Sequence, residues 1–124
     1  MLVIDHEDGG RRVMTTMLDF GGYTVVSASD GCRGADIYQR EGEQIDCVFR
    51  NLSIPKRNAE EALQELRKLD PNVRVVLASG FTEREMLDRF RAAGLSGVLQ
   101  KPVLMSSLLT KVRAAIESPD RAAD

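Results

Sequence analysis

Short runs of apolar residues alternate along the chain with longer segments whose apolar positions recur every three or four residues. The runs are rich in β-branched residues and have strand length, whereas the longer segments have the period of a helix with one buried face. Predicted strands cover residues 2–4, 23–28, 45–49, 73–77 and 98–99. Predicted helices cover about residues 8–20, 31–40, 62–69, 83–94 and 104–116. Strands that alternate with helices predict an α/β fold, with a parallel sheet covered by helices on both faces.

Local signals mark the ends of several predicted helices. Gly21 and Gly22 end the first helix, and Asp30-Gly31 is a turn that leads into the second. Thr82-Glu83-Arg84-Glu85 has the spacing of a capping box for the fourth helix, with Phe81 placed as its hydrophobic staple. These signals agree with the periodicity and predict one continuous (βα)5 domain.

Composition narrows the class of protein. The chain has 124 residues, the size of a single domain, and a formal net charge of -2. That charge predicts no general attraction to nucleic acid or to an anionic membrane. Cys32 and Cys47 lack the spacing of metal ligands or of a disulfide framework. A chain with only two cysteines is typical of a reducing compartment.

No apolar run approaches the ~20 residues of a membrane-spanning helix, and Met1 leads directly into the first strand. We therefore expect a cytoplasmic domain without a signal peptide. The same abrupt start is typical of a domain cut from a longer protein. We expect the domain to cover residues 1–117, and residues 118–124 to be a frayed end or the start of a linker.

Polar side chains follow the strands where an open parallel sheet binds its ligands. They are Asp5, His6, Glu7 and Asp8 after the first strand, Asn51 after the third, Ser79 after the fourth and Lys101 after the fifth. Carboxylates at such an edge are ligands for a hard cation such as Mg²⁺, and a lysine there pairs with a phosphate or a carboxylate. Alternatively, these residues only cap helices, as Asp8 would for the first helix.

Four segments, LVIDHE at 2–7, VFRNLSIP at 48–55, VVLASGF at 75–81 and LQKP at 99–102, resemble the response-regulator receiver family of two-component signalling. The resemblance runs from Leu2 to about Ile116. The SGF and LQKP forms are similar to receivers attached to hybrid sensor kinases. The resemblance implies a flavodoxin-like, doubly wound sheet of five parallel strands in the order 2-1-3-4-5.

The resemblance also implies a mechanism. An aspartate at the end of the third strand accepts a phosphoryl group from a phosphohistidine, and an acidic pair after the first strand helps to hold Mg²⁺. A Ser or Thr after the fourth strand and a Lys after the fifth bind the phosphate, and here they are Ser79 and Lys101. The magnesium offsets charge during the transfer.

This chain departs from that pattern where the phosphate would be attached. Asn51 stands at the acceptor position, and an amide does not form the usual acyl phosphate. His6 stands at the second position of the acidic pair, between Asp5, which matches the first, and Glu7. Val98 replaces the aromatic switch residue three positions before Lys101. These joint changes predict a pseudo-receiver in which Asp5 is at most a weak Mg²⁺ ligand and no cofactor is bound.

Two residues of this site have more than one interpretation. Lys101, without a phosphoryl partner, would pair with Asp5 or hydrogen-bond to Asn51 and so lock one conformation, or would only pack in a fold that no longer responds to phosphate. The sole histidine, His6, is either a proton-sensitive group or a hydrogen-bonded residue that fills the vacated cation site.

The sequence favours a non-enzymatic interaction module of a two-component phosphorelay. As in the family, its partner would be a sensor histidine kinase or another signalling protein, bound by the face of the fourth helix, fifth strand and fifth helix. Arg84, Asp88, Arg91 and Lys111 belong to that face, and a homodimer through it is a further family expectation.

Two other functions stay open. One is a working phospho-acceptor that uses an atypical residue or metal arrangement. The other is a flavodoxin-like flavin carrier, which is disfavoured because the chain has no tryptophan and no Ser/Thr/Gly-rich loop after the first strand.

Overall fold

The computed structural model describes residues 1–52, 59–90 and 95–117 as five strands and five helices in strict alternation. The strands are β1 (Leu2–Ile4), β2 (Val26–Ala28), β3 (Val48–Leu52), β4 (Val75–Ser79) and β5 (Gly97–Gln100). The helices are α1 (Asp8–Phe20), α2 (Gly31–Glu41), α3 (Ala59–Leu69), α4 (Glu83–Arg89) and α5 (Met105–Glu117). A short 3-10 turn, Gly42–Gln44, follows α2.

All five strands run parallel in the order β2-β1-β3-β4-β5, which confirms the predicted (βα)5 flavodoxin-like fold. β1 lies between β2 and β3, with Ile4 in register with Ala28 on one side and Arg50 on the other. The strand order reverses beside β1, because β2 and β3 leave it in opposite directions. Residues that follow β1 and β3 therefore meet at the crevice where such sheets bind ligands.

Each face of the sheet has its own core. Leu2, Ile4, Val48 and Leu77 project to the face covered by α2, α3 and α4. The alternate strand positions, among them Phe49, project to the face covered by α1 and α5. Because both faces are covered, the strands read as nearly continuous apolar runs.

Strand boundaries differ from the prediction, although every strand exists. The third strand was predicted at 45–49 and lies at Val48–Leu52, and the Ile45 N–H donates back to Gly42 O at 3.1 Å rather than to a strand. The fourth strand is displaced in the same direction, from 73–77 to Val75–Ser79. Both strands therefore carry the polar residues Asn51 and Ser79 within the ladder rather than after it.

Several predicted helix ends are confirmed. α1 ends at Phe20, before Gly22, whose φ of 93° lies in the left-handed region that favours glycine. Thr82 and Glu85 form the reciprocal capping box of α4. Asp8 was wrong as a cap: it is the first residue of α1, and its carboxylate pairs with Arg11 instead.

Two predictions remain outside these observations. The predicted end of the fourth helix at Gly94 and the tail 118–124 lie outside the described residues. Within the described part of the chain, no helix is long and apolar enough to cross a membrane.

Two phenylalanines give a matched test of the core. Phe49 is fully buried in β3, and Phe20 at the end of α1 is 76% exposed. We expect Phe49→Ala to lower the free energy of unfolding by about 3–5 kcal/mol, because it leaves a cavity in the core. Phe20→Ala should change it by about 0.5 kcal/mol or less. Urea denaturation measures both, and equal losses would contradict this packing.

Candidate functional site

Asp5 and Asn51 meet at the crevice between β1 and β3. The Asn51 Nδ2 amide donates a hydrogen bond of 2.7 Å to Asp5 Oδ2. Asp5 is only 1% exposed, and a buried carboxylate is stable only where donors replace its lost water. The asparagine amide is therefore one of the groups that allow Asp5 to be buried.

The N-terminal turn of α1 supplies the other donors. The Glu7 backbone N–H donates to Asp5 Oδ1 at 3.0 Å. The Arg11 guanidinium donates to the Asp5 backbone oxygen at 2.7 Å and also to the Asp8 carboxylate. Both carboxylate oxygens of Asp5 thus have a partner from the protein itself.

Gly10 allows this close approach. A Cβ atom at position 10 would clash with Asp5 Oδ2 and lie 3.4 Å from Asn51 Nδ2. At Gly9, one residue earlier in α1, an added Cβ would meet nothing within 4 Å. The first turn of α1 therefore packs against the Asp5–Asn51 pair only because residue 10 has no side chain.

His6 and Glu7 do not enter the crevice. Both side chains are more than half exposed, and His6 Nε2 lies 4.0 Å from Glu7 Oε1. This exposure gives no support to the interpretation that His6 fills a vacated cation site, which stays a prediction. The bond from Glu7 N to Asp5 Oδ1 closes a tight turn, and His6, in the middle of that turn, faces solvent.

Ser79 ends β4 and is fully buried. Its hydroxyl oxygen accepts a hydrogen bond of 3.3 Å from the Phe81 backbone N–H, and its carbonyl accepts one of 2.8 Å from Lys101 N. Ser79 thus stabilises the turn into α4 and joins β4 to the end of β5.

Lys101 follows β5, and its peptide bond to Pro102 is cis. A lysine can donate only to the Oδ1 oxygen of the Asn51 side chain. That oxygen is buried without a hydrogen-bond partner, so the predicted Lys101–Asn51 bond is wrong. Nor does an ion pair join Lys101 to Asp5 among the described residues. The hydrogen bonds on the Asp5 carboxylate come instead from Asn51 and from the Glu7 backbone.

Val98 of β5 is buried in the same core as Leu77, Met86 and Phe90. Its side chain is part of the packing beneath α4 and does not reach the surface.

Comparison with known proteins identifies the fold family. The profile of the family described as "Response regulator receiver domain" matches residues 1–113. This chain belongs to the response regulator receiver family.

Individual relatives agree with the family match. The receiver is 29% identical over 120 residues to sensor kinase CckA of Brucella abortus, covering 97% of this chain but 13% of that kinase. A receiver domain structure from Clostridium thermocellum is 27% identical, with a TM-score of 0.82 over 93% of this chain and 91% of that one. The receiver domain of the hybrid histidine kinase CckA has the same fold, with 23% identity, a TM-score of 0.74, and coverage of 94% of this chain and 97% of that one.

The donors at the crevice of this receiver do not match Mg²⁺, the cation that the family resemblance implies. Mg²⁺ requires a nearly octahedral set of oxygen ligands, usually including carboxylates. Among the described residues Asp5 is the one buried carboxylate, so the crevice supplies a single buried anionic side chain. Among the described residues there is no group of three His, Cys, Asp or Glu side chains that could hold a metal.

Sequence reasoning did not single out Gly10 and Arg11, which shape this site, nor Arg50, which lies in β3. Gly10 and Arg11 lie within a helical pattern that gives no sign of their contacts. The pair Gly9-Gly10 in a first helical turn is nevertheless unusual, and it could have indicated a close approach there. Arg50 was hidden inside a strand pattern. Burial lowers the pKa of its guanidinium, opposed by the charge of Asp30, and its Nε and one Nη are buried without hydrogen-bond partners.

The two glycines of α1 test the geometry. Replacing glycine by alanine in a helix normally stabilises it by about 0.5–1 kcal/mol, and Gly9→Ala should do so. Gly10→Ala should give no such gain, because its Cβ displaces the Asp5 carboxylate from Asn51. Urea denaturation gives the stabilities, and the ¹⁵N shift of the Asn51 side-chain amide reports the displacement. An equal gain for both variants with an unmoved amide signal would refute the close approach.

Proposed function

We propose that this receiver domain is a pseudo-receiver, which does not accept phosphate at position 51 and acts as a non-enzymatic protein-interaction module. Receiver domains belong to two-component signalling and interact with histidine kinases and other signalling proteins. The proposal concerns how this member of the family takes part in two-component signalling. It also places the domain in the cytoplasm, where receivers bind the kinase domains of their partners.

The hydrogen bond from Asn51 to Asp5 carries the proposal. Covalent capture of a phosphoryl group needs a nucleophilic carboxylate at the end of β3, and a neutral amide is a far weaker nucleophile. Here that amide acts as a donor, at 2.7 Å from the neighbouring acid. The residue that would react in a working receiver instead stabilises a buried charge.

The phosphate-binding residues are also held by structural contacts. The Ser79 hydroxyl accepts from Phe81 N, and the backbone at Lys101 is tied to β4 through the Ser79 carbonyl. With Val98 packed in the core, the distal face has no aromatic side chain in β5 to change position. These contacts favour a single conformation that does not depend on phosphate.

The face of α4, β5 and α5 supports the choice of partner surface. A shallow groove of ≈ 350 Å³ lies between β5 and α5, lined by Gln100, Val103 and Lys111 among others. Leu87 on α4 is 52% exposed, and Leu104, just before α5, is 63% exposed. Exposed apolar side chains beside charged ones are typical of protein interfaces.

Charged residues would set specificity at this face. Arg84 and Asp88 lie on the exposed part of α4, and Lys111 lines the groove from α5. Such rim charges affect partner choice and association rate more than affinity. Arg91, also predicted for this face, lies outside the described residues.

Intact-mass spectrometry after incubation with Mg²⁺ and acetyl phosphate tests the proposal. We expect no phosphoryl adduct on the natural chain, because position 51 offers no carboxylate. A phosphorylatable receiver treated in parallel shows that the donor is active. A hydroxylamine-labile adduct on the natural chain would overturn the proposal, and its mapping would identify the atypical acceptor.

A matched variant tests the cause. Asn51→Asp restores the acceptor carboxylate, and His6→Asp restores the second position of the family's acidic pair. We expect this double variant to take up phosphate. His6→Asp alone keeps the amide and should remain unmodified. Failure of the double variant would show that Asn51 and His6 are not the reason for the loss.

A further inference from the structure

The outer edge of β2 is an open side of the sheet. The Val26 N–H donates to Met1 O at 3.0 Å, and the Asp5 N–H donates to Ala28 O at 3.1 Å. In a parallel ladder alternate residues of a strand point to the same neighbour. Ser27, between Val26 and Ala28, therefore directs its backbone N–H and C=O away from β1, and it is exposed at the end of the sheet.

Ser27 lies where two grooves join. One, of ≈ 510 Å³, runs along α2 and is lined by Arg33 and Arg40. The other, of ≈ 400 Å³, runs along α1 and is lined by Arg12 and by two threonines. Arg11 and Ser27 line both grooves, so the two form one continuous depression along the edge of β2.

The charge of this depression is opposite in sign to that of the whole chain. Four arginines and two aspartates line it, although the chain carries a formal net charge of -2. Arg33 lies 4.0 Å from Asp30, and both side chains are more than half exposed, so that pair is weak. Arg12 and Arg40 are exposed and form no ion pair with the residues the structure describes.

We propose that the edge of β2 binds an extended acidic segment of a partner protein. The segment adds a sixth strand, with its backbone bonded to Ser27 and its carboxylates on the arginines. Exposed strand edges bind peptides in this way, and alternate side chains of the added strand point to opposite faces of the sheet. The arginines of α1 and α2 lie on opposite faces, so the fitting segment carries carboxylates on both sides.

Charge complementarity selects this occupant over a second copy of the chain. Pairing of two β2 edges would bring the same arginines together, and like charges at an interface disfavour association. The proposed strand site lies at the β2 edge of the sheet, away from the face of α4, β5 and α5. It does not depend on whether position 51 accepts phosphate.

The probe is a fluorescein-labelled peptide of Glu-Asp-Thr-Val repeats, which places Glu on one face of a strand and Asp on the other. Fluorescence anisotropy with the full chain at low salt measures its Kd, and ¹⁵N spectra locate it. We expect binding with amide shifts centred on Ser27, weakened by added salt. The same peptide with Gln and Asn in place of the acids should bind at least about tenfold more weakly.

Two variants separate the backbone contribution from the charge contribution. Ser27→Pro removes an N–H that β1 does not use, at an edge position where proline is tolerated, and should abolish the strand contact. Arg33→Glu with Arg40→Glu should weaken binding by about tenfold or more. The matched control, Lys68→Glu with Arg113→Glu, makes the same change of charge at exposed positions that line neither groove and should leave Kd unaltered. Circular dichroism confirms that each variant is folded.

The proposal is overturned if the acidic peptide does not bind, or if folded Ser27→Pro binds it with unchanged Kd. A thymidine oligonucleotide that binds more tightly than the peptide would instead assign the arginines to nucleic acid. Sedimentation that shows a dimer lost in Ser27→Pro would assign the edge to self-association. Either result would also overturn it.

Discussion

The arrangement of this receiver depends on the burial of one carboxylate. Asp5 is 1% exposed at the reversal of strand order beside β1, where no solvent compensates its charge. Its donors are the Asn51 amide and the Glu7 backbone, and Gly10 leaves the space that this packing needs. An aspartate at position 51 would place a second negative charge next to Asp5, and the two carboxylates would repel each other. Asparagine instead donates a hydrogen bond of 2.7 Å to Asp5.

The presence of asparagine instead of aspartate at position 51 connects the site to its proposed function. In a receiver that accepts phosphate, the acidic cluster binds a cation and then a phosphoryl group. The conformation of the domain changes when these groups bind. In this receiver the Asp5 carboxylate already accepts a hydrogen bond on each oxygen, and the proposed function holds that the surfaces around it keep one form. In the proposed function, recognition depends on the exposed groups of the α4–β5–α5 face, and the proposed strand site adds the arginines beside β2.

The sequence predicted the architecture because apolar periodicity is set by which faces are buried, and both faces of this sheet are covered. It predicted boundaries less well, since Asn51 and Ser79 are polar yet lie inside β3 and β4. It placed Asp5 and Asn51 together through topology. It could not place His6 outside the crevice, because that depends on the turn closed by Glu7 N, nor could it show Gly10 against Asp5.

The most direct measurement of the central claim is the side-chain amide signal of Asn51 in ¹H–¹⁵N spectra during titration with Mg²⁺ and then beryllium trifluoride. If Asn51 holds Asp5 in one state, the signal and those of Ser79 and Lys101 should stay unchanged throughout. Saturable shifts of these three residues would show that the crevice still binds a cation and a phosphoryl mimic, and would contradict the account.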